Sequence, residues 1–227
     1  MAWDAATGNG QAALGLATHF DRVIATDVSA GQIGNATRHP RIEYRVGSAE
    51  ESGLASDSID LVAVAAAIHW FDLPRFYEEV RRVIRDGGVL AAWTYHVAHA
   101  GPPLDRVLGP FYRDVVGPHF APGARMVDAR YEDLALPGEA LRAPSLSVSV
   151  RWNADQVLRF VRTWSGVHAC MAATGRDPVL DIEGPVCEAL GGKGSPATLS
   201  WPLYVRANTS TQGRSSRTAR SRPVTAA

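Results

Sequence analysis

The sequence predicts an α/β fold, a doubly wound and mostly parallel sheet flanked by helices, with an inserted cap. Its first half alternates short apolar runs typical of buried strands with segments of helical periodicity, which is typical of parallel strands joined by right-handed crossovers. A glycine-containing loop, DAATGNG, joins the first predicted strand to the first helix. After residue 96 the alternation stops and a segment rich in Pro and Gly begins, which indicates the cap.

Apolar or alternating runs predict seven strands, which in chain order are MAWDA, RVIATDV, IEYRVGSA, SIDLVAVAAAI, VLAAWTYH, SLSVSVRW and TLSWPLYVRA. The first helices are expected in GQAALGLATHF, AGQIGNATRH and LPRFYEEVRRVI. Asp72 is expected to cap the third of these, Pro74 lies in its first turn, and RDGG is expected to end it. A helical stretch is predicted near PLDRVLGPFYRDVVG, and NADQVLRFVRTWSGVHACMA is interpreted as one helix capped at Asn153.

Composition excludes several classes of protein. Lys plus Arg and Asp plus Glu both number 23, so no global charge favours nucleic acid or an anionic membrane. No apolar run approaches the roughly 20 residues that span a bilayer. Cys170 and Cys187 form no spaced framework, and the first residues do not have the pattern of a signal peptide. We therefore expect a cytoplasmic protein with no metal, nucleic-acid or membrane partner.

The DAATGNG loop and a later acid predict a ligand site. Gly8 and Gly10 allow the backbone to approach a ligand closely, and the following helix presents free N–H groups there. Asp27 ends the second strand, nineteen residues after Gly8, a spacing that suits a carboxylate bound to ribose hydroxyls. The GxGxxA pattern that ends at Ala13 also fits a dinucleotide site, and a tight turn that binds nothing is a further alternative.

Five stretches resemble the class I S-adenosylmethionine-dependent methyltransferases, of the small-molecule branch that includes trans-aconitate methyltransferase-like proteins. They are WDAATGNGQAALGLA, VIATDVSAGQI, YRVGSAEESGL, AAAIHWFDLPRFYEEVRRVIRDGGVLAAW and SWPLYVR, and the resemblance runs from about Ala2 to about Ala207. It implies a Rossmann-like fold and methyl transfer from S-adenosylmethionine. The expected organisation is a cofactor-binding core (1–96), a substrate cap (97–144) and strands and a helix that complete the sheet (145–207). The remaining residues (208–227) lie outside the resemblance, and their composition, rich in Arg and poor in bulky apolar residues, predicts a disordered basic tail.

The resemblance also implies roles for individual residues. The family's first loop contacts the methionine part of the cofactor, which implies Asp4, Gly8, Asn9 and Gly10. Ala6 stands where the family usually has glycine, and its methyl group is expected to weaken cofactor binding. Asp27 would hold the ribose and Val28 would line the adenine. The loop after the third strand would meet the adenine edge through Ser48, Ala49 and Glu50, with Ser48 replacing the usual carboxylate.

The HWFD sequence is expected where the cofactor meets the substrate, with His69 and Trp70 in the pocket wall. A carboxylate acceptor needs no general base, whereas a phenol or alcohol would need one, and His69 is then the candidate catalytic residue. Asp72 is a helix cap in this interpretation. Five arginines of the cap region are candidates to bind a substrate carboxylate: Arg106, Arg113, Arg125, Arg130 and Arg142.

In that family, residues ahead of the first strand close over the cofactor. This sequence begins at the strand, so we expect an N-terminally truncated form without this lid, with weak binding and slow turnover. Two alternatives remain open. An NAD-type oxidoreductase would use the same glycine loop, although there is no Tyr-x-x-x-Lys pair and the only lysine is Lys193. A degenerate, non-catalytic binding domain would explain both Ala6 and the missing lid.

Overall fold

The fold is seen in a computed structural model that describes residues 1–210, in which eight strands form one sheet. The strands are β1 (Ala2–Ala5), β2 (Val23–Asp27), β3 (Ile42–Val46), β4 (Ile59–Ala65), β5 (Ile84–Tyr95), β6 (Glu139–Ala140), β7 (Leu146–Trp152) and β8 (Ala197–Thr209). Their order is β3-β2-β1-β4-β5-β8-β6, and β7 pairs with β8. Strands β1 to β5 are parallel, whereas β8 runs antiparallel to β5, β6 and β7.

Eight α-helices accompany the sheet: α1 (Gln11–Leu16), α2 (Ala30–Gly34), α3 (Leu73–Val83), α4 (Pro102–Pro110), α5 (Ala124–Asp128), α6 (Ala154–Arg162), α7 (Ser165–Thr174) and α8 (Glu183–Ala189). A π-helical segment, Phe111–Val116, continues α4, and 3₁₀ turns cover Ile68–Trp70, Gly117–His119 and Pro178–Ile182. None of the helices within residues 1–210 combines the length and the apolar character needed to cross a bilayer. The predicted α/β class, with a mostly parallel sheet flanked by helices, is confirmed.

The two faces of the parallel sheet pack against different helices. On one face, the buried Trp3 ring lies 6.1 Å from the Phe76 ring of α3, measured between centroids, and its Nε1 donates a hydrogen bond of 2.9 Å to Thr26 Oγ1. On the other face, small residues of β1 and β2 such as Ala25 pack with Ala13 of α1. Because the chain leaves β1 toward β2 and returns to β4 on its other side, strand order reverses between β1 and β4, where ligands bind in such folds.

The start of α3 follows the prediction, but its end does not. Asp72 Oδ1 accepts a hydrogen bond of 3.3 Å from the Arg75 N–H, which confirms the cap. The expectation that RDGG ends the helix is wrong, because α3 already stops at Val83 and β5 includes these four residues. Ile84 is extended and pairs with Ile59, and the register between β4 and β5 then shifts. The glycines therefore lie in an irregular strand.

The segment after β5 shares a second hydrophobic core with the C-terminal helices. Buried residues of 98–116 pack in one cluster with residues of α6, α7, α8 and β8, including Leu108, Phe111, Val157, Val167 and Leu199. The cap segment is therefore anchored by the helices that follow it in the sequence. The boundaries at residues 96 and 144 stay a prediction.

The single helix predicted from Asn153 onward is wrong, since α6 ends at Arg162 and α7 begins at Ser165. Its cap is confirmed, because Asn153 and Gln156 form a reciprocal capping box. Trp164 has extended backbone at the break, and its ring packs against Tyr112 with centroids 5.6 Å apart. Packing of this large ring against the cap segment accounts for the interruption.

Strand β8 extends further than the sequence indicated. Asn208 pairs with Leu90 of β5, and its Nδ2 donates a hydrogen bond of 2.9 Å to the Leu136 carbonyl. The expected start of the tail at residue 208 is therefore wrong, because β8 continues to Thr209. The rest of the predicted tail, from residue 211 onward, lies outside the described residues.

Gly123, at the start of α5, allows the cap segment to approach the sheet edge. A Cβ atom on Gly123 would lie 2.1 Å from the backbone oxygen of His69. We expect Gly123→Ala to lower the free energy of unfolding by about 1–3 kcal/mol, because this backbone contact cannot yield without moving α5. Gly15→Ala is the control, since its Cβ would meet nothing within 4 Å. Urea denaturation of both variants measures the difference, and equal stability of the two would contradict the contact.

Candidate functional site

The candidate site lies at the carboxyl ends of β1, β2, β4 and β5. The loop after β1 is attached to β2, because the Thr7 N–H donates a hydrogen bond of 2.9 Å to the Thr26 carbonyl. Ala6, Gly8 and Gly10 have φ angles of 55°, 58° and 91°. For Ala6 this left-handed conformation costs roughly 1–2 kcal/mol, whereas glycine adopts it freely. A second alanine at this sheet edge has the same left-handed conformation, since Ala66, directly after the neighbouring strand β4, has φ 50°.

Asp27 joins the loop to the end of β2. Its Oδ2 accepts a hydrogen bond of 2.9 Å from the Gly8 N–H, and its Oδ1 accepts one of 2.8 Å from the Ser29 N–H. Each carboxylate oxygen has two acceptor sites, so both oxygens retain capacity for a further donor. A Cβ on Gly8 would meet nothing within 4 Å, so the loop borders open space beside this carboxylate. The structure thus brings together the two features that the sequence predicted as a pair.

Asp4 is a buried acid beneath the loop. The Thr7 hydroxyl donates to its Oδ2, but its buried Oδ1 has no hydrogen-bond partner within residues 1–210. Burial raises the pKa of Asp4 to about 6; the Thr7 hydroxyl and the Ala13 backbone N–H oppose the shift, and the nearby Asp27 carboxylate adds to it. A buried carboxylate with an unused oxygen is a site that a cationic or hydrogen-bonding ligand group would stabilise. This unused oxygen fits the amino group of a bound amino-acid moiety.

Gly10 faces a residue that the sequence interpretation missed. A Cβ on Gly10 would lie 2.2 Å from the Tyr44 hydroxyl, so the lack of a side chain makes room for Tyr44. The Tyr44 hydroxyl donates a hydrogen bond of 3.0 Å to the Thr37 carbonyl. Burial and the nearby Asp4 raise the pKa of Tyr44. The sequence carries a signal for this placement, since the alternation of IEYRVGSA predicts a strand that contains Tyr44. Parallel register then places Tyr44 beside Ala25, which in turn pairs with Asp4.

The loop after β3 is attached to the start of α3. The Ser48 hydroxyl donates to Glu50 Oε2, and Glu50 Oε1 accepts a hydrogen bond of 3.0 Å from the Asp72 N–H. Burial opposes the ionised form, but these hydrogen bonds outweigh it and lower the pKa of Glu50. Ala49 is buried in the core with Trp3. Glu50 therefore positions this loop, and a role for Ser48, Ala49 and Glu50 at the adenine stays a prediction.

Asn9 and Val28 are exposed at the rim of the site. Asn9 lies at the tip of the loop between Gly8 and Gly10. Val28 directly follows Asp27, and its side chain is 74% exposed, so it is accessible to an apolar ring. Their assignment to the cofactor stays a prediction.

His69 and Trp70 occupy the 3₁₀ turn after β4. His69 Nδ1 lies 2.9 Å from the Tyr131 hydroxyl, and its ring centroid lies 5.1 Å from that of Trp70. Burial lowers the pKa of His69 to about 4, so the ring is neutral near pH 7 and a weak proton acceptor. Tyr131 is buried and has φ 57°, directly after Arg130 with φ 54°, which is a rare conformation for large side chains.

Two cavities open at the ends of β4 and β5. The smaller, about 300 Å³, is lined by His69, Trp70, Thr94 and Trp164 among others. The larger cavity, about 750 Å³, is lined by three of the candidate arginines, Arg113, Arg125 and Arg130. The cavities share five lining residues: His96, Val97, Tyr112, Phe120 and Ala124. The glycine loop lines neither of them, so it forms a separate part of the site.

The three arginines differ in their contacts. Arg113 pairs with Asp114 at 2.8 Å, and the Arg130 guanidinium lies 5.4 Å from the centroid of the Tyr204 ring. The Arg125 guanidinium has neither an ion pair nor a hydrogen bond within residues 1–210. Arg106 and Arg142 line neither cavity. Across the same part of the chain, no group of three or more His, Cys, Asp or Glu residues is placed to hold a metal ion.

Comparisons with known proteins all point in one direction. The family model described as "Methyltransferase domain" matches residues 3–92, which include the loop, Asp27 and His69. A Dictyostelium discoideum protein named as a methyltransferase is 31% identical over 90% of this chain and 80% of its own length. A Saccharomyces cerevisiae protein named as an S-adenosylmethionine-dependent methyltransferase is 29% identical, over 40% of this chain and 34% of that relative.

Solved structures agree. A protein from Anaeromyxobacter dehalogenans named as a type II methyltransferase superposes with a TM-score of 0.83 and 40% identity, covering 92% of this chain and 88% of that one. The oxidoreductase alternative finds no support among these matches. The similarity spans the cap segment and the C-terminal strands as well as the glycine loop.

The raised pKa of Asp4 predicts a pH-dependent stability difference. An unfolded aspartate loses its proton near the ordinary value of 3.8, whereas folded Asp4 keeps it to about pH 6. As the pH rises through this window the unfolded state ionises first, so Asp4 makes folding less favourable. Asp4→Asn should therefore raise the free energy of unfolding, relative to wild type, by about 2–3 kcal/mol more at pH 7 than at pH 4.

Urea denaturation at the two pH values measures this difference. His69 also titrates in this range, but it is present in both proteins and cancels from the comparison. The exposed Asp21→Asn is the control and should give the same small change at both pH values. A gain from Asp4→Asn that does not depend on pH would contradict the buried, ionisable state of Asp4.

Proposed function

The chain belongs to the S-adenosylmethionine-dependent methyltransferases, and on that premise we propose that it methylates a small molecule that carries a carboxylate. The binding of the methyl donor is supported most directly by the Asp27 carboxylate, which is held against the Gly8 N–H beside open space. The acidic substrate is supported by Arg125, which lines the larger cavity. When bound, S-adenosylmethionine supplies a methyl group on a positively charged sulfur. The residues of this chain have to hold that donor, exclude water and orient the acceptor.

The cofactor would bind across the loop and the ends of β1 and β2. We propose that Asp27 accepts hydrogen bonds from the ribose hydroxyls through the acceptor sites that Gly8 and Ser29 leave free. The unpartnered oxygen of Asp4 would then face the amino end of the methionine part. Val28 would cover one face of the adenine, and Gly8, Asn9 and Gly10 would present backbone to the donor. Charge-assisted hydrogen bonds of this kind contribute roughly 1.5–3 kcal/mol each.

The acceptor would occupy the cavity between β4, β5 and the cap. Trp70, Phe120 and Trp164 give this space broad apolar walls. Negative charge on the acceptor oxygen and the positive charge of the sulfonium diminish together as the methyl group is transferred, so a pocket with little water favours transfer over the separated charges. Holding the reactants in line can supply roughly 7–11 kcal/mol, which makes orientation the main task of these walls.

Arg125 is the proposed carboxylate contact. It lines the larger cavity, and its guanidinium has no ion pair or hydrogen bond in the described part of the chain. Arg130 lines the same cavity, with its guanidinium 5.4 Å from the centroid of the Tyr204 ring. A planar guanidinium binds a carboxylate with two parallel hydrogen bonds. The trans-aconitate branch, the N-terminal lid and a catalytic role for His69 stay predictions.

Cofactor binding through Asp27 can be tested without knowing the acceptor. Asp27→Ala removes the acceptors for the ribose and should weaken S-adenosylhomocysteine binding at least tenfold, since one such hydrogen bond corresponds to about 1.4 kcal/mol or more. Isothermal titration calorimetry measures the affinity. Asp21→Asn, which precedes β2 and is exposed, should bind as the wild type does. Affinity of Asp27→Ala within threefold of the wild type would refute this placement.

Recognition of the substrate through a carboxylate can be tested with paired probes. We expect mass spectrometry to find methylated products among a panel of small carboxylic acids, with and without a hydroxyl group, and little product from the corresponding amides. Arg125→Gln should raise KM for the acids at least tenfold with little change in kcat, because it removes a contact made before and during transfer. Arg106→Gln, in the same region but outside both cavities, is the matched control. Equal use of acids and amides would contradict recognition through a carboxylate.

A further inference from the structure

A histidine at the end of β5 forms a hydrogen-bonded group with two cap residues. His96 directly follows Tyr95, the last residue of β5, so it lies at the same sheet edge as His69 after β4. Its Nε2 lies 3.2 Å from Asp128 Oδ1. The Tyr112 hydroxyl donates a hydrogen bond of 2.7 Å to that same oxygen, and the Tyr112 and His96 rings meet edge to face at 4.8 Å. Two cap elements thus fix the orientation of this ring.

The group lies where the two cavities meet. His96 and Tyr112 line both of them, whereas Asp128 lines the larger. The smaller cavity also contains His69, and the larger contains Arg125. A substrate that extends from one cavity into the other would pass the His96 ring.

We propose that His96 accepts the proton of a hydroxyl-bearing substrate during methyl transfer, with Asp128 and Tyr112 as positioning residues. This inference rests on the small-molecule methyl transfer proposed above and names the acceptor group. With the Nε2–H directed at Asp128, the lone pair on Nδ1 is free for the substrate. The acceptor oxygen forms its bond to the methyl group as the methyl–sulfur bond breaks, and that electron pair stays on sulfur. The hydroxyl proton passes to Nδ1, and the Asp128 carboxylate stabilises the imidazolium.

His96 suits this task better than His69. Nδ1 of His69 is bound to the Tyr131 hydroxyl, and burial favours the neutral ring. No carboxylate contacts the His69 ring within residues 1–210, whereas Asp128 contacts that of His96. A carboxylate behind an imidazole orients the ring and stabilises the charge that forms on it, as in other histidine bases. The other ionisable side chains that line the larger cavity are Arg113, Arg125, Arg130, Asp105 and His99.

The walls of the site indicate the substrate class. Flat aromatic faces line the smaller cavity, through Trp70, Tyr112, Phe120 and Trp164, and Arg125 lines the larger one. This combination fits an aromatic hydroxy acid, with its ring between the aromatic faces, its hydroxyl at His96 and its carboxylate at Arg125. Methyl transfer would then give an ether and leave the carboxylate free.

The test uses 4-hydroxybenzoate and 3-(4-hydroxyphenyl)propionate as probes, with benzoate as the acid that lacks the hydroxyl. We expect mass spectrometry to find methyl ethers of the two phenols and no product from benzoate. His96→Gln should lower the rate about 100-fold at neutral pH and remove the rise in rate with pH that we expect of the wild type. His168→Gln alters an exposed histidine of α7 that lines neither cavity, and it should leave rate and profile unchanged.

Asp128 is tested by a readout besides activity. ¹⁵N NMR of the labelled histidine rings should show the Nε2–H tautomer of His96 in the wild type and a mixture of tautomers in Asp128→Ala, with His168 unaffected, because the Asp128 carboxylate accepts a hydrogen bond from Nε2–H. The same His96 tautomers in both proteins, methyl esters as the only products, no methyl ether from either phenol, or a normal rate in His96→Gln would each overturn the inference. Failure of the proposed function gives a different result, because the amides of the two phenolic acids would then be methylated as readily as the acids, while His96→Gln would still lower the rate.

Discussion

The hydrogen bond between the Gly8 N–H and the Asp27 carboxylate is the interaction on which the site depends. It joins the loop after β1 to the end of β2, next to the point where strand order reverses. Parallel pairing of β1 and β2 in fixed register places these two elements side by side, so a cofactor that spans them meets a preformed surface. The neighbouring ends of β4 and β5 bring His69 and His96 to the same edge of the sheet, where both line one cavity. In the proposed function, the sheet thereby sets the relative positions of donor and acceptor.

Much of this could be predicted from the sequence, because the signals are local. The strands follow from short apolar runs, and Asp72 and Asn153 begin helices because their side chains accept backbone hydrogen bonds three residues on. The pairing of Gly8 with Asp27 follows from topology, since Gly8 lies in the loop after β1 and Asp27 ends the neighbouring parallel strand β2 at the same edge of the sheet. The family resemblance added the roles of Asp4 and Val28, which neither periodicity nor spacing could provide.

The remaining features depend on contacts between segments far apart in the sequence. Tyr131 reaches His69 across 62 residues, and Asp128 reaches His96 across 32, both from a cap segment with weak periodicity. The break after α6 arises because the Trp164 ring packs on the cap, although the local sequence favours a continuous helix. The glycines that the sequence predicts at the end of α3 lie in β5 for a related reason. Pairing of Ile84 with Ile59 begins the strand before them and outweighs the preference of glycine for helix ends. In each case tertiary packing overrides a local propensity.

The site also concentrates features that reduce the stability of the unliganded fold. Ala6 and Ala66 hold left-handed backbone at the ends of β1 and β4, and the buried Oδ1 of Asp4 has no hydrogen-bond partner among the described residues, 1–210. Such features persist where surrounding structure enforces them, and they cluster at functional sites. A ligand group that satisfies Asp4 removes a cost that only the folded state bears, so binding and folding are thermodynamically linked. The same burial that makes Asp4 unfavourable in the unliganded protein therefore strengthens its attraction for a cationic group, because the local dielectric is low.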